Sequence, residues 1–258
     1  MEIKSWMGAN FLKLNDEKTE CIMFGSQHDL QFISHCTVSV GSEVVVPSKT
    51  VRNIGAMLDS TLTMQAHVNN ISKSCYYQIR NLSKIRKYLS EESCQTLTHA
   101  FVSSRLDNMN ALLHGVNQAL TKRLQNVQNN AARVVKRQRK SCHITPILKD
   151  LHWLPVEYRS QYKILLLVYK CIHGEGPAYL ASMLEEYDPI RTLRSSSQGR
   201  LREHRTKKNY GTRAFSVAGP RMWNNLDPEV KNCFSVDSFK KSLKTHLFKK
   251  AYNLKDQS

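Results

Sequence analysis

The sequence predicts an α+β fold that is predominantly α-helical, with a small β-rich piece at its N-terminal end. From residue 63 onward, apolar residues recur at steps of three and four, which is the spacing of one face of an amphipathic helix. Before residue 60, short apolar runs alternate with polar and turn-forming residues, as in strands. A chain of 258 residues can bury a real core. We expect three parts: residues 1–60, 61–141 and 142–258.

The N-terminal part contains three stretches with strand character. Cys21 to Phe24 is a short apolar run. Between residues 38 and 46, valines alternate with polar residues on both sides of Gly41-Ser42, a pattern that predicts a hairpin with a two-residue turn. Residues 51–58 read as a further strand that is broken at Gly55.

The middle part predicts three helices. The first carries apolar residues at helical spacing from Val68 to Ile85. Ser90 is placed to cap the second, with Glu91 and Glu92 in the first turn, where the helix dipole favours acids. The third has one apolar face, made of Leu120, Leu124, Val127, Ala131, Val134 and Val135.

The C-terminal part is organised around its most hydrophobic segment, which begins at Leu151. After Pro155, apolar residues recur at helical spacing as far as Ile172, and the glycines and proline of residues 174–177 end the helix. Because so much of its surface is apolar, we expect this helix to form the core of the C-terminal half. A last helix, capped by Ser235 or Asp237, is expected to dock on residues 151–184.

Charge restricts the class of partner. The net charge of +17 and the pI near 9.7 indicate a polyanionic partner, most often a nucleic acid. Seven dispersed cysteines without a Cys-x-x-Cys pair suggest reduced thiols, and the first residues lack the apolar core of a signal peptide. No run is long enough to span a bilayer. We therefore expect an intracellular protein, nuclear or cytoplasmic, that contacts no membrane; its oligomeric state is left open.

Two clusters of basic residues are candidate contacts to a phosphate backbone. The first lies on the polar side and beyond the end of the third helix: Lys122, Arg123, Arg133, Lys136, Arg137, Arg139 and Lys140. Residues 136–140 also resemble a nuclear import signal. The second lies in an expected exposed basic loop, residues 189–213: Arg200, Arg202, Arg205, Lys207 and Lys208. The structural alternatives are a solvated helix end for the first cluster and a flexible linker for the second.

Residue patterns for other chemistry are absent from the sequence. His143, His152 and His173 lie near cysteines, but their spacing fits no zinc-ligand pattern. The sequence has no Walker loop, no Gly-x-Ser-x-Gly and no Gly-x-Gly-x-x-Gly. We therefore expect no cofactor, no metal site and no self-contained catalytic centre in this chain.

Three stretches carry a resemblance to a known family. They are "NFLKLNDEKTECIMF" (residues 10–24), "LHWLPVEYRSQYKILLLVYKCIHGEGPAYLASML" (residues 151–184) and "FSVAGPRMWNNLDPEVKNCFSVDSFKKSLKTHLF" (residues 215–248). In this order they resemble the C-terminal part of non-LTR (LINE-type, jockey-like) retrotransposon reverse transcriptases. The resemblance implies a palm remnant in residues 1–60, with a motif D-like turn and a primer-grip-like hairpin at "VRNIGAMLD". A thumb-like helical bundle and a basic helical C-terminal domain would follow.

The same resemblance implies RNA-directed DNA polymerisation only for an intact parent protein. That chemistry needs two metal ions held by paired carboxylates, and the chain contains no Asp-Asp. Mg²⁺, and a role for Lys18 near the pyrophosphate leaving group, are expected only in such a parent; otherwise Lys18 is a surface residue after a turn. For this chain we expect binding of RNA or of an RNA–DNA primer–template. The alternatives are a helical protein-interaction module and a translated relic without function.

Overall fold

The computed structural model describes residues 3–13, 15, 18–33, 36–40, 43–187, 199–206 and 209–254. Helices predominate there and the strands form two two-stranded sheets, which confirms the predicted fold class. Contacts divide the chain into two compact units, Met1–Asn70 and Ile71–Ser258, whereas the sequence predicts three parts. No described helix combines the length and apolar character needed to cross a bilayer.

The helices and strands are divided between the two units as follows. The first unit contains α1 (Ile3–Ala9), α2 (Gln27–Phe32), β1 (Val38–Val40), β2 (Glu43–Val45), β3 (Thr50–Asn53), β4 (Ala56–Asp59) and the start of α3 (Gln65–Ile85). The second contains the rest of α3, then α4 (Glu91–Thr98), α5 (Ser104–Asp107), α6 (Gln118–Val135), α7 (Ile144–Asp150), α8 (Val156–Ile172), α9 (Ala178–Ala181), α10 (Asn209–Thr212), α11 (Phe215–Asn224), α12 (Pro228–Lys231) and α13 (Val236–Ala251). Single turns of 3₁₀ helix (Arg86–Tyr88, Asn110–Leu113) and π helix (His99–Ser103) link several of these helices.

Both predicted strand regions of the first unit form antiparallel hairpins. Val38 pairs with Val45, which confirms the first hairpin; its predicted turn at Gly41-Ser42 lies outside the described residues. The run 51–58 is not one broken strand but the β3–β4 hairpin, with Val51 opposite Leu58. Its turn residues Ile54 and Gly55 both have positive φ, 46° and 89°, which is the backbone of a tight two-residue hairpin turn.

The prediction that residues 1–60 are β-rich is wrong in part, because α1 and α2 lie there and Cys21 to Phe24 form no strand. A capping box starts α2. The Ser26 hydroxyl accepts a hydrogen bond from the Asp29 N–H (3.1 Å), and the Asp29 carboxylate accepts one from the Ser26 N–H (3.3 Å). This reciprocal pair satisfies two backbone donors that a helix start leaves unpaired. The cap therefore starts a helix between the predicted strand regions.

Asp59 links the end of β4 to the start of α3. Its buried carboxylate accepts hydrogen bonds from the N–H groups of Thr63 (2.8 Å) and Met64 (2.7 Å) and from the Thr61 hydroxyl (2.9 Å). Burial raises the pKa of Asp59, but these hydrogen bonds outweigh burial and hold the pKa below its usual value. The charged carboxylate thus fixes how the chain enters the long helix.

His67 packs inside the first unit as a neutral ring. Its Nδ1 accepts a hydrogen bond from the Met57 N–H (3.3 Å), and its Nε2 is buried without a partner among the described residues. Burial lowers the pKa of His67 from its ordinary value of 6.5. The unfolded chain therefore binds more protons just below that value, and the contribution of His67 to stability falls as the pH decreases.

We expect the substitution His67→Gln to remove this part of the pH dependence, because glutamine supplies a neutral acceptor that does not titrate. The free energy of unfolding should be measured by urea denaturation of both chains between about pH 7 and about pH 5. The advantage of the parent over the variant should shrink as the pH falls. An advantage that is the same at every pH would show that His67 is not held neutral.

The core of the second unit is built on α8, as the sequence predicts. Val168 and Tyr169 of α8 are buried against Trp223 of α11 and Phe239 and Leu243 of α13. The Tyr169 ring stacks on Phe239 with centroids 4.0 Å apart, and its hydroxyl donates a hydrogen bond to the Cys233 carbonyl (2.6 Å). Ser235 caps α13, and α13 docks on α8, which confirms both predictions.

Candidate nucleic-acid interface

The candidate interface is centred on the C-terminal end of α6, in the second unit. One face of α6 is buried through Leu124, Val127, Ala131 and Val135. Arg133 lies in its last turn, and Lys136, Arg137, Arg139 and Lys140 lie just beyond it. Because the carbonyl groups at a helix C-terminus carry partial negative charge, this end favours cations. The helix therefore fixes where the positive charge of this region lies.

Arg86, which follows α3, donates hydrogen bonds to backbone carbonyl groups at this end of α6. Its Nε donates to the carbonyl of Val134 (2.9 Å), its Nη2 to that of Val135 (2.7 Å) and its Nη1 to that of Leu89 (2.7 Å). The residue is only 9% exposed. All these partners are neutral carbonyl groups, so its full positive charge persists beneath the surface at the end of α6.

Two further guanidinium groups are held beside Arg86. Arg137 has a left-handed backbone (φ 52°), and its Nη2 donates to the Arg86 carbonyl (3.1 Å). The Nη2 of Arg133 donates to the Cys142 carbonyl (3.4 Å), while its Nε is buried and has no hydrogen-bond partner among the described residues. Side chains anchored in this way lose less conformational freedom when they bind a phosphate.

These side chains line a groove of ≈ 530 Å³ between α3 and the end of α6. We call it the basic groove and define it by its cations: Arg80, Arg86, Arg133, Arg137 and Lys140. Among the described residues, no aspartate or glutamate lines it. Tyr76 also lines the groove and accepts a hydrogen bond from the amide of Asn130 (3.2 Å). An open groove lined by cations and no acids suits a chain of phosphate groups.

Lys136 does not belong to this surface, and its assignment as a nucleic-acid contact needs correction. Its ammonium group forms ion pairs with Glu91 and Asp150, which lie away from the basic groove. Hydrogen bonds to Asp150 and then Glu91 raise the pKa of Lys136 above its usual value. The sequence gives no sign of these acids, because α4 and α7 bring them close only in the fold.

The other predicted residues of the α6 cluster are dispersed. Lys122 and Arg123 are exposed near the start of α6, about 16 Å along the helix from Arg133 at 1.5 Å per residue. Arg139 is exposed next to Lys140. The structure therefore brings together three of the predicted residues, Arg133, Arg137 and Lys140. It adds Arg80 and Arg86 from α3 and the turn that follows it, which the sequence analysis missed.

The second basic cluster is only partly an exposed loop. Leu201 is buried, its N–H and carbonyl pair with the Asn224 side chain (2.9 and 2.8 Å), and Trp223 donates to the Gly199 carbonyl (2.9 Å). Most of residues 199–206 are exposed, as predicted, but Leu201 is buried and forms an antiparallel bridge with Glu186, so this part of the segment is anchored. Arg202 pairs with Glu185 (3.1 Å), whereas Arg200 and Arg205 are exposed. Lys207 and Lys208 lie outside the described residues.

Lys18 is exposed and follows a turn in which its N–H donates to the Asn15 side chain (3.1 Å). Its local structure is therefore that of a surface residue after a turn, which is the alternative given for Lys18 in the sequence analysis. Its role in nucleotidyl transfer stays a prediction for an intact polymerase.

Metal ligands do not cluster in the described part of the chain. No group of three or more His, Cys, Asp or Glu residues there is arranged to hold a metal ion. Together with the absence of an Asp-Asp pair from the sequence, this does not fit a two-metal polymerase centre. The histidines near cysteines have other contacts. His173 stacks on Tyr169 (4.0 Å) and His152 on Phe248 (5.8 Å).

No protein-family model, curated protein or solved structure matches this chain. The geometry thus defines a predominantly helical protein with a basic groove.

Proposed function

We propose that the second unit binds nucleic acid through the basic groove, as the C-terminal part of a retrotransposon reverse transcriptase would bind its primer–template or element RNA. The observation that carries this proposal is the convergence of five cations in one groove, which no acid lines in the described part of the chain. Guanidinium groups match the geometry of phosphate oxygens, so Arg80, Arg133 and Arg137 favour a phosphate backbone over a single carboxylate, while the buried Arg86 contributes its charge. Contacts of this kind read charge and shape, not base sequence.

The order of elements supports the proposed ancestry. The β3–β4 hairpin corresponds to the primer-grip-like sequence, and the amphipathic helices α3, α4 and α6 follow it as a thumb would. Tyr76 in the groove offers an aromatic face next to the cations, a combination typical of surfaces that bind single strands or duplex ends. Polymerisation belongs only to an intact parent, since this chain contains no paired aspartates.

Charge reversal of the two exposed groove cations, Arg80→Glu with Lys140→Glu, tests the proposal. Both side chains lie at the surface, so the variant should fold. We expect its affinity for an RNA–DNA hybrid duplex to fall by roughly 100-fold at about 0.1 M salt, because two contacts become repulsive. Fluorescence anisotropy of a labelled duplex measures this effect.

The matched control is Lys241→Glu with Lys250→Glu, which makes the same change in net charge on exposed positions of α13. It should weaken binding by only a few-fold, through the general field of the protein. Equal losses in the two variants would show that net charge, not the groove, attracts the duplex. Tight binding that neither variant alters would show that the duplex binds outside the basic groove. A parent chain that does not bind the duplex would favour a protein-interaction role for the second unit.

A further inference from the structure

A second concave site lies in the second unit, near the C-terminal end of α6. Lys136 lines this site and not the basic groove. It is a cleft of ≈ 770 Å³, and the residues that matter for its chemistry are His99, Asn110, Trp153, Arg159, Lys163 and Lys244. We call it the Trp153 cleft. Its size is within the range of sites that enclose a small organic molecule.

Two residues that line this cleft each carry a buried polar atom without a hydrogen-bond partner among the described residues. These atoms are the indole Nε1 of Trp153, in a residue that is 4% exposed, and the amide Oδ1 of Asn110, in a residue that is 5% exposed. Buried polar groups are nearly always paired, because an unpaired one gives up its hydrogen bonds to water and gains nothing in return. One atom is a donor and the other an acceptor, so a molecule that offers both would satisfy them.

The surrounding contacts fix both groups in place. The Trp153 carbonyl accepts a hydrogen bond from the Tyr252 hydroxyl (2.6 Å), and its backbone N–H donates to the Leu148 carbonyl (3.0 Å). The Asn110 amide nitrogen donates to Asp107 (3.3 Å), and the Asp107 carboxylate accepts hydrogen bonds from Nε (2.7 Å) and Nη2 of Arg159. A flipped amide would place its oxygen against that carboxylate. The Asn110 oxygen is therefore held as an acceptor.

Aromatic rings and unpaired cations complete the cleft. The His99 ring lies 5.3 Å from the Trp153 ring, and burial, Arg159 and Lys244 lower the pKa of His99, so the ring is neutral. The acids of the cleft are engaged, Asp107 by Arg159, and Glu91 and Asp150 by Lys136. Lys163 and Lys244 are exposed at its edge, and no carboxylate pairs with them in the described part of the chain.

We propose that the Trp153 cleft binds one nucleotide, with its base toward Trp153 and Asn110 and its phosphate toward Lys163 and Lys244. A nucleobase is a planar ring that carries donors and acceptors on one edge, which is what the two unpaired atoms require. The base comes either from a free nucleotide or from an unpaired position of a bound strand. This inference goes beyond the basic groove and does not rest on it.

The test uses the full chain and calorimetric titration with the four ribonucleoside monophosphates, with ribose 5-phosphate as the probe that lacks a base. At least one nucleotide should bind ten-fold or more tightly than ribose 5-phosphate. Trp153→Phe keeps the ring but removes the N–H, and Asn110→Ala removes the acceptor; each should abolish that difference. The control is Trp223→Phe, since the Trp223 N–H already donates within the chain (2.9 Å); it should bind like the parent.

A second arm separates the two sources of the base. An RNA hairpin with one unpaired base is compared with the same hairpin carrying an abasic residue at that position. If only the hairpin arm shows tighter binding of the ligand that carries the base, and if Trp153→Phe abolishes that difference, the cleft binds an unpaired base of a bound strand. Preference in the first arm assigns it to free nucleotides. If the parent prefers the base in neither arm, or if Trp153→Phe and Trp223→Phe behave alike, water fills the cleft and the proposal is wrong. Both arms compare ligands of equal charge. The result for the Trp153 cleft can therefore be interpreted even if the basic groove does not bind nucleic acid.

Discussion

Replacing Arg86 by methionine is expected to lower the free energy of unfolding of the second unit by about 3 kcal/mol. Methionine keeps much of the side-chain volume but removes the donors that satisfy the carbonyls of Val134, Val135 and Leu89. The Val135 carbonyl lies at the end of α6, where the helix itself supplies no further donor, whereas the Val134 carbonyl also accepts a hydrogen bond from the Arg137 N–H (3.3 Å). Urea denaturation of the full chain, followed by circular dichroism, measures the loss.

Arg80→Met is the control for this substitution. It removes the same charge from the same groove, but Arg80 is exposed and no described hydrogen bond depends on it. The expected change in stability is within about 0.5 kcal/mol. If the two variants lost the same amount of stability, the capping role of Arg86 would be wrong and its charge alone would matter.

Truncation of Phe239 to alanine is expected to cost about 4 kcal/mol, the range for a large aromatic side chain in a closed core. Phe239 is 0% exposed, stacks on Tyr169 (4.0 Å) and lies 6.2 Å from the Trp223 ring. Its removal leaves a cavity where α8, α11 and α13 meet. The same denaturation experiment measures the loss.

Phe234→Ala provides the matched comparison, because Phe234 lies five residues earlier and is fully exposed. Its truncation should change the free energy of unfolding by less than about 0.5 kcal/mol. A small effect at Phe239, close to that at Phe234, would mean that α13 does not close the core of the second unit.

The helices of the second unit were predictable because their periodicity and caps agree with their packing. The runs in α6 and α13 bury the face that their spacing predicts, and Ser90 and Ser235 cap the helices they precede. In α8 the buried face includes Ile164 and Val168, whereas Ile172, at the end of the predicted run, is exposed. In the first unit, the capping box of Ser26 and Asp29 starts α2 in a stretch between the predicted strands. A capping box is visible in a sequence, so this helix start was predictable.

The site was predictable only in part, because charge on a helix shows neither its partner nor its neighbours. Lys136 and Arg137 are adjacent cations that look equivalent in the sequence. In the structure Lys136 pairs with Glu91 and Asp150, whereas Arg137 lines the basic groove. Arg86 comes from the turn after α3 and reaches α6 only through a contact across about 50 residues of chain. The unpaired atoms of the Trp153 cleft are likewise a property of packing, which no spacing reveals.

The salt dependence of binding tests the central claim most directly. The affinity of the parent chain for an RNA–DNA hybrid duplex should be measured by anisotropy at several salt concentrations. If the basic groove neutralises phosphates through four or five cations, the logarithm of the association constant should fall linearly with the logarithm of salt concentration, with a slope of roughly −4. The Arg80→Glu, Lys140→Glu variant should have a slope smaller in magnitude by about 2. A slope near zero in the parent, or equal slopes in the parent and the variant, would contradict nucleic-acid binding by this groove.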